Sequence, residues 1–145
     1  MSKEGKGKKV LITVNTIQTN ELGERDSINF QTIGSLYSKN QAIYLIYDES
    51  VLTGMAGSTT SLKVEPEKIT LSRMGNSQLK HTFEAGVVNS GTYVTPYGTM
   101  TTKVLPSKVA ADLTENGGSI NLEYELIVGK DKIGVNELLI TVKEA

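Results

Sequence analysis

The sequence predicts an all-β fold, a single antiparallel meander forming an up-and-down barrel or a sandwich. Three observations carry this. Short β-branched runs recur along the chain, separated by Gly, Asn, Asp and Pro. Ile120, Leu122, Tyr124, Leu126 and Val128 alternate with polar Asn121, Glu123 and Glu125, the period-2 signature of a half-buried strand. No stretch offers a capped amphipathic helix; Ala110-Ala111-Asp112-Leu113 has room for one turn at most.

The elements follow in order. Residues 1–9, with Lys3, Lys6, Lys8 and Lys9, read as a flexible, solvated tail ahead of one domain over residues 10–145. Residues 10–17 form a first strand, and Leu22-Gly23-Glu24 turns it. Ile28, Phe30 and Thr32 alternate with Asn29 and Gln31 in a second, where Gly34 suits a bulge. Ser38-Lys39-Asn40 turns into residues 42–49, apolar on both faces until the end. Residues 51–58 read as a loop. Residues 60–64, 68–73 and 78–83 are short strands joined through Pro66-Glu67 and Gly75-Asn76.

Residues 86–103 read as a hairpin with its turn at Asn89-Ser90-Gly91. Tyr93, Thr95 and Tyr97 then share one strand face, and Gly98 marks a corner. The second arm runs to Pro106, and residues 109–113 form a further short strand. Asn116-Gly117-Gly118 and Gly129-Lys130-Asp131 are turn signals around the strand that contains Leu122, and residues 133–142 are the last strand. Closure into a barrel removes sheet edges, and about eight strands suffice to hold side chains or one small molecule.

At 145 residues the chain is the size of one domain, and its net charge is -1 with acids and bases interspersed. No field of one sign argues for nucleic acid. There is no cysteine, hence no disulfide and no thiolate metal site. The apolar run at Val10-Leu11-Ile12 is too short for a secretory core or a membrane span, so the expected address is cytoplasmic.

Several segments resemble a known family. They are Tyr44-Leu45-Ile46-Tyr47-Asp48-Glu49, Leu71-Ser72-Arg73-Met74-Gly75, Phe83-Glu84-Ala85-Gly86, Tyr93-Val94-Thr95-Pro96-Tyr97-Gly98 and Gly117-Gly118-Ser119-Ile120-Asn121-Leu122-Glu123-Tyr124. Their order is similar to that of the YwiB-like family, small bacterial proteins of unknown function, over most of the chain from residue 28. The resemblance implies a closed or nearly closed calycin-like (lipocalin-like) β-barrel of eight or more strands. It implies no activity, cofactor or substrate. The chain has no Trp, so the Gly-x-Trp signature of classical lipocalins is missing.

The candidate ligand-binding residues are Tyr47, Glu49, Arg73, His81, Tyr93, Thr95 and Tyr97. Arg73 shares a strand face with Ile69 and Leu71, which aims it inward, and a buried Arg must be paired. Glu49, on the face of Ile43, Leu45 and Tyr47, is the expected partner. Such a pair either receives an anionic or hydroxylated ligand or fixes strand register. His81 is the single histidine, on the face of Leu79 and Phe83, and is read as a hydrogen-bonded core or rim group rather than a base. The tyrosines, Tyr37 included, supply hydroxyls to a pocket or to a barrel rim. No nucleophile motif, paired carboxylates, metal set or phosphate loop is present, so neither a metal nor a cofactor is expected.

The expected function is non-enzymatic binding of a small, partly apolar or anionic ligand inside the barrel. A lyase or isomerase using Arg73, Glu49 and a Tyr is the alternative, as is an interaction protein contacting protein or RNA. A homodimer stays open, and no membrane partner is expected.

Overall fold

The computed structural model describes residues 7–49 and 56–145. Its first five strands are β1 (Lys8–Thr19), β2 (Arg25–Lys39), β3 (Ala42–Asp48), β4 (Ser58–Val64) and β5 (Ile69–Gly75). The rest are β6 (Leu79–Phe83), β7 (Asn89–Thr95), β8 (Gly98–Thr114), β9 (Gly117–Val128) and β10 (Asp131–Glu144). They form one antiparallel sheet in the order β6-β5-β4-β3-β2-β1-β10-β9-β8-β7. The two ends of the chain therefore meet: β1 pairs with β10 from Val10↔Glu144 to Thr19↔Val135. The seam lies in mid-chain, between β6 and β7, so the barrel is nearly closed.

The turns show why the chain reverses where it does. Asn40 and Gln41 both have positive φ (52° and 67°), the two-residue primed turn whose twist matches the strands it joins. Gly34 is not a bulge, since the register with β1 runs through it unbroken and the pairing with β3 begins at it. It is a close approach: a Cβ there would lie 2.4 Å from the Ile46 carbonyl oxygen and 2.5 Å from Ile12 Cδ1.

The hairpin over residues 86–103 is displaced from its expected register. Asn89-Ser90-Gly91 is the start of β7, and the reversal falls at Pro96-Tyr97. Pro96 cannot donate to a ladder and has φ fixed for a turn, which outweighs the alternation read through it. Residues 98–114 are one strand, kept continuous by a bulge between Pro106 and Lys108. The bulge absorbs the proline, and residues 110–113 are strand rather than a helical turn. Lys8 and Lys9 belong to β1, and Lys8 Nζ lies 2.9 Å from Glu144 Oε1. Residues 1–6 of the tail expected over 1–9, and residues 51–55 of the loop expected over 51–58, lie outside the described residues, and Ser58 already belongs to β4.

Alternation turns one face of each strand inward. Val10, Ile12, Leu36, Leu45, Leu62, Ile120 and Ile140, all at or near zero exposure, fill part of the interior. At about 25 cal/mol per Å² this burial is the main force for closure. Asn15, Asn29, Gln31, Glu123 and Glu137 lie on the opposite faces, the reverse of the lipid-facing apolar band of a membrane barrel. Among the described residues no helix is long and apolar enough to cross a membrane.

Candidate functional site

The part of the interior left by these side chains is a cavity of about 240 Å³. Its wall is mostly apolar, built on Val14, Phe30, Leu71, Phe83, Leu126 and Leu138, and polar groups reach it from β1, from β3 and its end, and from β5 through β10. That mixture is what small-molecule sites use, although the volume is below the usual drug-sized range.

Arg73 and Glu49 meet here. The inward face of β5 carries Ile69, Leu71 and Arg73, and the chain leaving β3 carries Glu49. Arg73 Nη2 lies 3.5 Å from Glu49 Oε2, and the side chains are 11% and 2% exposed. Thr60, fully buried on β4, bridges them: its hydroxyl donates to Glu49 Oε2 and accepts from Arg73 Nε at 3.2 Å. A guanidinium and a carboxylate taken from water are tolerable only as such a satisfied pair. Together they bring no net charge to the cavity.

His81, on β6 next to the β5 strand that carries Arg73, spans the seam. Between β6 and β7 the backbone makes a single bridge beside the cavity: Gln78 N–H donates to the Val94 carbonyl (2.8 Å) and Val94 N–H to that of Gln78 (2.9 Å). Beyond it, side chains replace the ladder. Asn89 Oδ1 accepts from Thr82 N–H at 3.0 Å and lies 2.9 Å from His81 Nδ1. A backbone N–H can only donate, so the Asn89 atom is an acceptor and Nδ1 of the ring carries the proton. Nε2 is then an acceptor for the Thr102 hydroxyl, 2.6 Å away on β8. Burial pushes the imidazole below its usual 6.5, against the opposing pull of Asn89, which keeps it neutral. Gly91 permits this approach, since a Cβ there would meet the Lys80 carbonyl oxygen at 2.7 Å and His81 Cε1 at 3.0 Å.

Tyr47, Tyr124 and Asn136 add buried polar groups to the lining. Burial raises Tyr47 far above the usual 10, helped by the Glu49 carboxylate and opposed by Arg73. Burial likewise raises Tyr124, opposed by Asn136 and Arg73. Tyr124 packs against Phe83 with ring centroids 4.8 Å apart, and its hydroxyl accepts from Asn136 Nδ2 at 3.3 Å. Asn136 is 8% exposed, and its Oδ1 is a buried acceptor that no donor among the described residues reaches. Most buried polar atoms are paired, so this one calls for an explanation.

Of the seven residues expected from sequence, Tyr47, Glu49, Arg73, His81 and Tyr93 line the cavity together. Thr95 and Tyr97 do not. Thr95 Oγ1 accepts from Tyr97 N–H (3.1 Å) and donates to the Gly98 carbonyl (3.0 Å), which ties the hairpin turn. Tyr97 stands 99% exposed at its tip. Tyr37 is on the outer wall, stacked on Tyr44 with centroids 5.0 Å apart. Tyr124, Asn136 and Thr102 were missed. The signal exists for all three: Tyr124 has the parity of Leu122 and Leu126, Asn136 that of apolar Leu138, Ile140 and Val142, and Thr102 that of Val104. Among the described residues no cluster of His, Asp and Glu able to hold a metal ion is found.

The comparisons agree with this architecture. The chain is 27% identical over 119 residues, 82% of each protein, to the uncharacterized β-barrel protein YwiB of Bacillus subtilis (strain 168). The crystal structure of the ywiB protein from Bacillus subtilis superposes with a TM-score of 0.86 at 23% identity, covering 96% of this chain and 93% of that one. That likeness concerns the fold. Residues 12–140 match the model of the Domain of unknown function (DUF1934), and the chain belongs to that family.

Proposed function

We propose that this chain is a non-catalytic, cytoplasmic barrel that binds a small, partly apolar molecule in its interior cavity. The observation that carries the reading is the cavity itself: about 240 Å³ of mostly apolar wall into which the Arg73–Glu49 pair, His81 and Tyr93 reach. Tyr47, Glu49, Arg73, His81 and Tyr93 are its proposed contacts, with Thr102, Tyr124 and Asn136.

The chemistry of these groups supports binding over catalysis. General acid–base work needs a group that titrates near the working pH. The phenols of Tyr47 and Tyr124 are raised, away from that range, and both His81 nitrogens are occupied within the protein. Glu49 and Arg73 are committed to each other and to Thr60. These features support a site already in its resting arrangement.

The test is a titration of the purified protein with a panel of neutral and anionic metabolites, followed by melting temperature and by backbone and methyl NMR shifts. Binding at the cavity moves Val14, Leu71, Leu126 and Leu138 while leaving residues of the Pro96-Tyr97 turn in place. A panel that moves none of these lining residues overturns the reading.

A further inference from the structure

The hydrogen-bonding capacity that the protein leaves unused in the cavity selects a ligand class, an inference that rests on the binding reading above. We infer that the cavity takes an uncharged molecule with a ring and a carbonyl oxygen, of the ketone or ester kind, and that this oxygen docks on the open edge of the Arg73 guanidinium.

The guanidinium is the first reason. It is a planar fork of N–H donors with more than one edge. The edge formed by Nε and Nη2 is taken, since Nε donates to Thr60 Oγ1 and Nη2 to Glu49 Oε2. Nη1 donates to no group among the described residues, and it is not one of the enclosed polar atoms. Arg73 lines the cavity with 11% of its side chain exposed, so an acceptor there can reach Nη1.

The phenols stand with it. Tyr47, Thr60 and Arg73 are cross-strand partners in one row over β3, β4 and β5, and both Glu49 and Arg73 act on the Tyr47 phenol. The hydroxyls of Tyr47 and Tyr93, two lining residues, have no partner among the described residues, and neither is enclosed.

The acceptors are in the opposite condition. Glu49 Oε2 receives Thr60 and Arg73, and His81 Nε2 receives the Thr102 hydroxyl. Asn136 Oδ1 is enclosed, and turning that amide over lets the Tyr124 hydroxyl donate to it. The open groups are therefore donors, and a carbonyl oxygen, an acceptor that brings no proton, matches them.

Charge decides between a carbonyl and a carboxylate. Glu49 already neutralises Arg73 from 3.5 Å. A ligand carboxylate would face Glu49 as a like charge and would leave water for a mostly apolar wall. A neutral carbonyl gives up far less hydration and still receives a charge-assisted bond. Size agrees: an apolar cavity of about 150 Å³ takes benzene, and the 240 Å³ here adds room for a substituent.

The experiment titrates acetophenone labelled at its carbonyl carbon, the isosteric alkene α-methylstyrene, and benzoate at pH 7, followed by NMR. The proteins are the unaltered chain, Tyr47→Phe, and Glu49→Leu/Arg73→Met, which removes the guanidinium without stranding its partner's charge. Acetophenone should shift the lining methyls, and its bound carbonyl resonance should move downfield, the mark of a strong donor at the oxygen. Its affinity relative to the alkene should fall at least about tenfold in the double variant, the worth of one charge-assisted hydrogen bond. The same ratio should fall severalfold in Tyr47→Phe, which serves if the double variant does not fold. Benzoate should bind more weakly than acetophenone. A ratio unchanged in the folded variants, a carbonyl resonance that stays in place on binding, or tighter binding of benzoate overturns this inference and leaves the binding reading standing. Failure of all three probes while the metabolite panel gives a cavity hit overturns the inference alone. Failure of both experiments overturns both.

Discussion

Removing either member of the Arg73–Glu49 pair tests the interior most directly. At 3.5 Å and an effective dielectric of about 20, their attraction is about 5 kcal/mol. The loss of hydration for two side chains only 11% and 2% exposed is several kcal/mol per ion. The pair is therefore close to neutral as a unit, yet each half is expensive alone. Glu49→Leu or Arg73→Met should each destabilise by about 3–5 kcal/mol. For a domain of this size that lowers the melting temperature by about 10–15 °C. The double variant Glu49→Leu/Arg73→Met has no charge left to strand. It costs about 1 kcal/mol for the partners lost by the Thr60 hydroxyl, and regains part of that through apolar burial. It should lie within about 2 kcal/mol of the parent. Urea denaturation of all four proteins supplies the cycle. A double variant that loses the sum of the two single losses would refute the reasoning, because two independent residues behave that way.

Three further outcomes follow from particular groups. His81 binds its proton less readily folded than unfolded, so the unfolded chain takes up more protons below pH 6.5. Stability from this residue is complete above pH 6.5 and falls as pH drops toward the depressed folded value; His81→Gln should flatten that slope in urea melts between pH 7 and pH 5, and an unchanged slope rejects it. Tyr47 and Tyr124 hold their protons more tightly folded, so stability should fall as pH rises above 10, and absorbance at 295 nm should show both phenols titrating only with unfolding. Tyr97→Ser removes a side chain that is 99% exposed, and should change stability by less than about 0.5 kcal/mol in urea denaturation. A larger effect would put Tyr97 at the cavity after all.

Local pattern was sufficient for much of this barrel. Side-chain alternation and turn chemistry act over two to four residues, so β1, β9 and β10 and the turns at Asn40, Asn116 and Gly129 could be read from the chain. The same parity aimed Arg73, Glu49 and His81 inward, and neutrality required Arg73 to have an acidic neighbour. Where the pattern passed through Pro96 it failed, because a proline in the turn ends the alternation that placed Tyr97 inside.

The amino-acid order by itself determined the strands, most of their faces and the need for an interior ion pair, since each follows from the preferences of near neighbours. Only the tertiary structure decided that β1 closes on β10, that the seam falls between β6 and β7, and that Asn89 and Thr102 fix the His81 tautomer across it. It alone placed Asn136 and Tyr124 side by side at a cavity. These depend on register between strands distant in sequence, and the volume left inside a barrel depends on every side chain pointing into it at once.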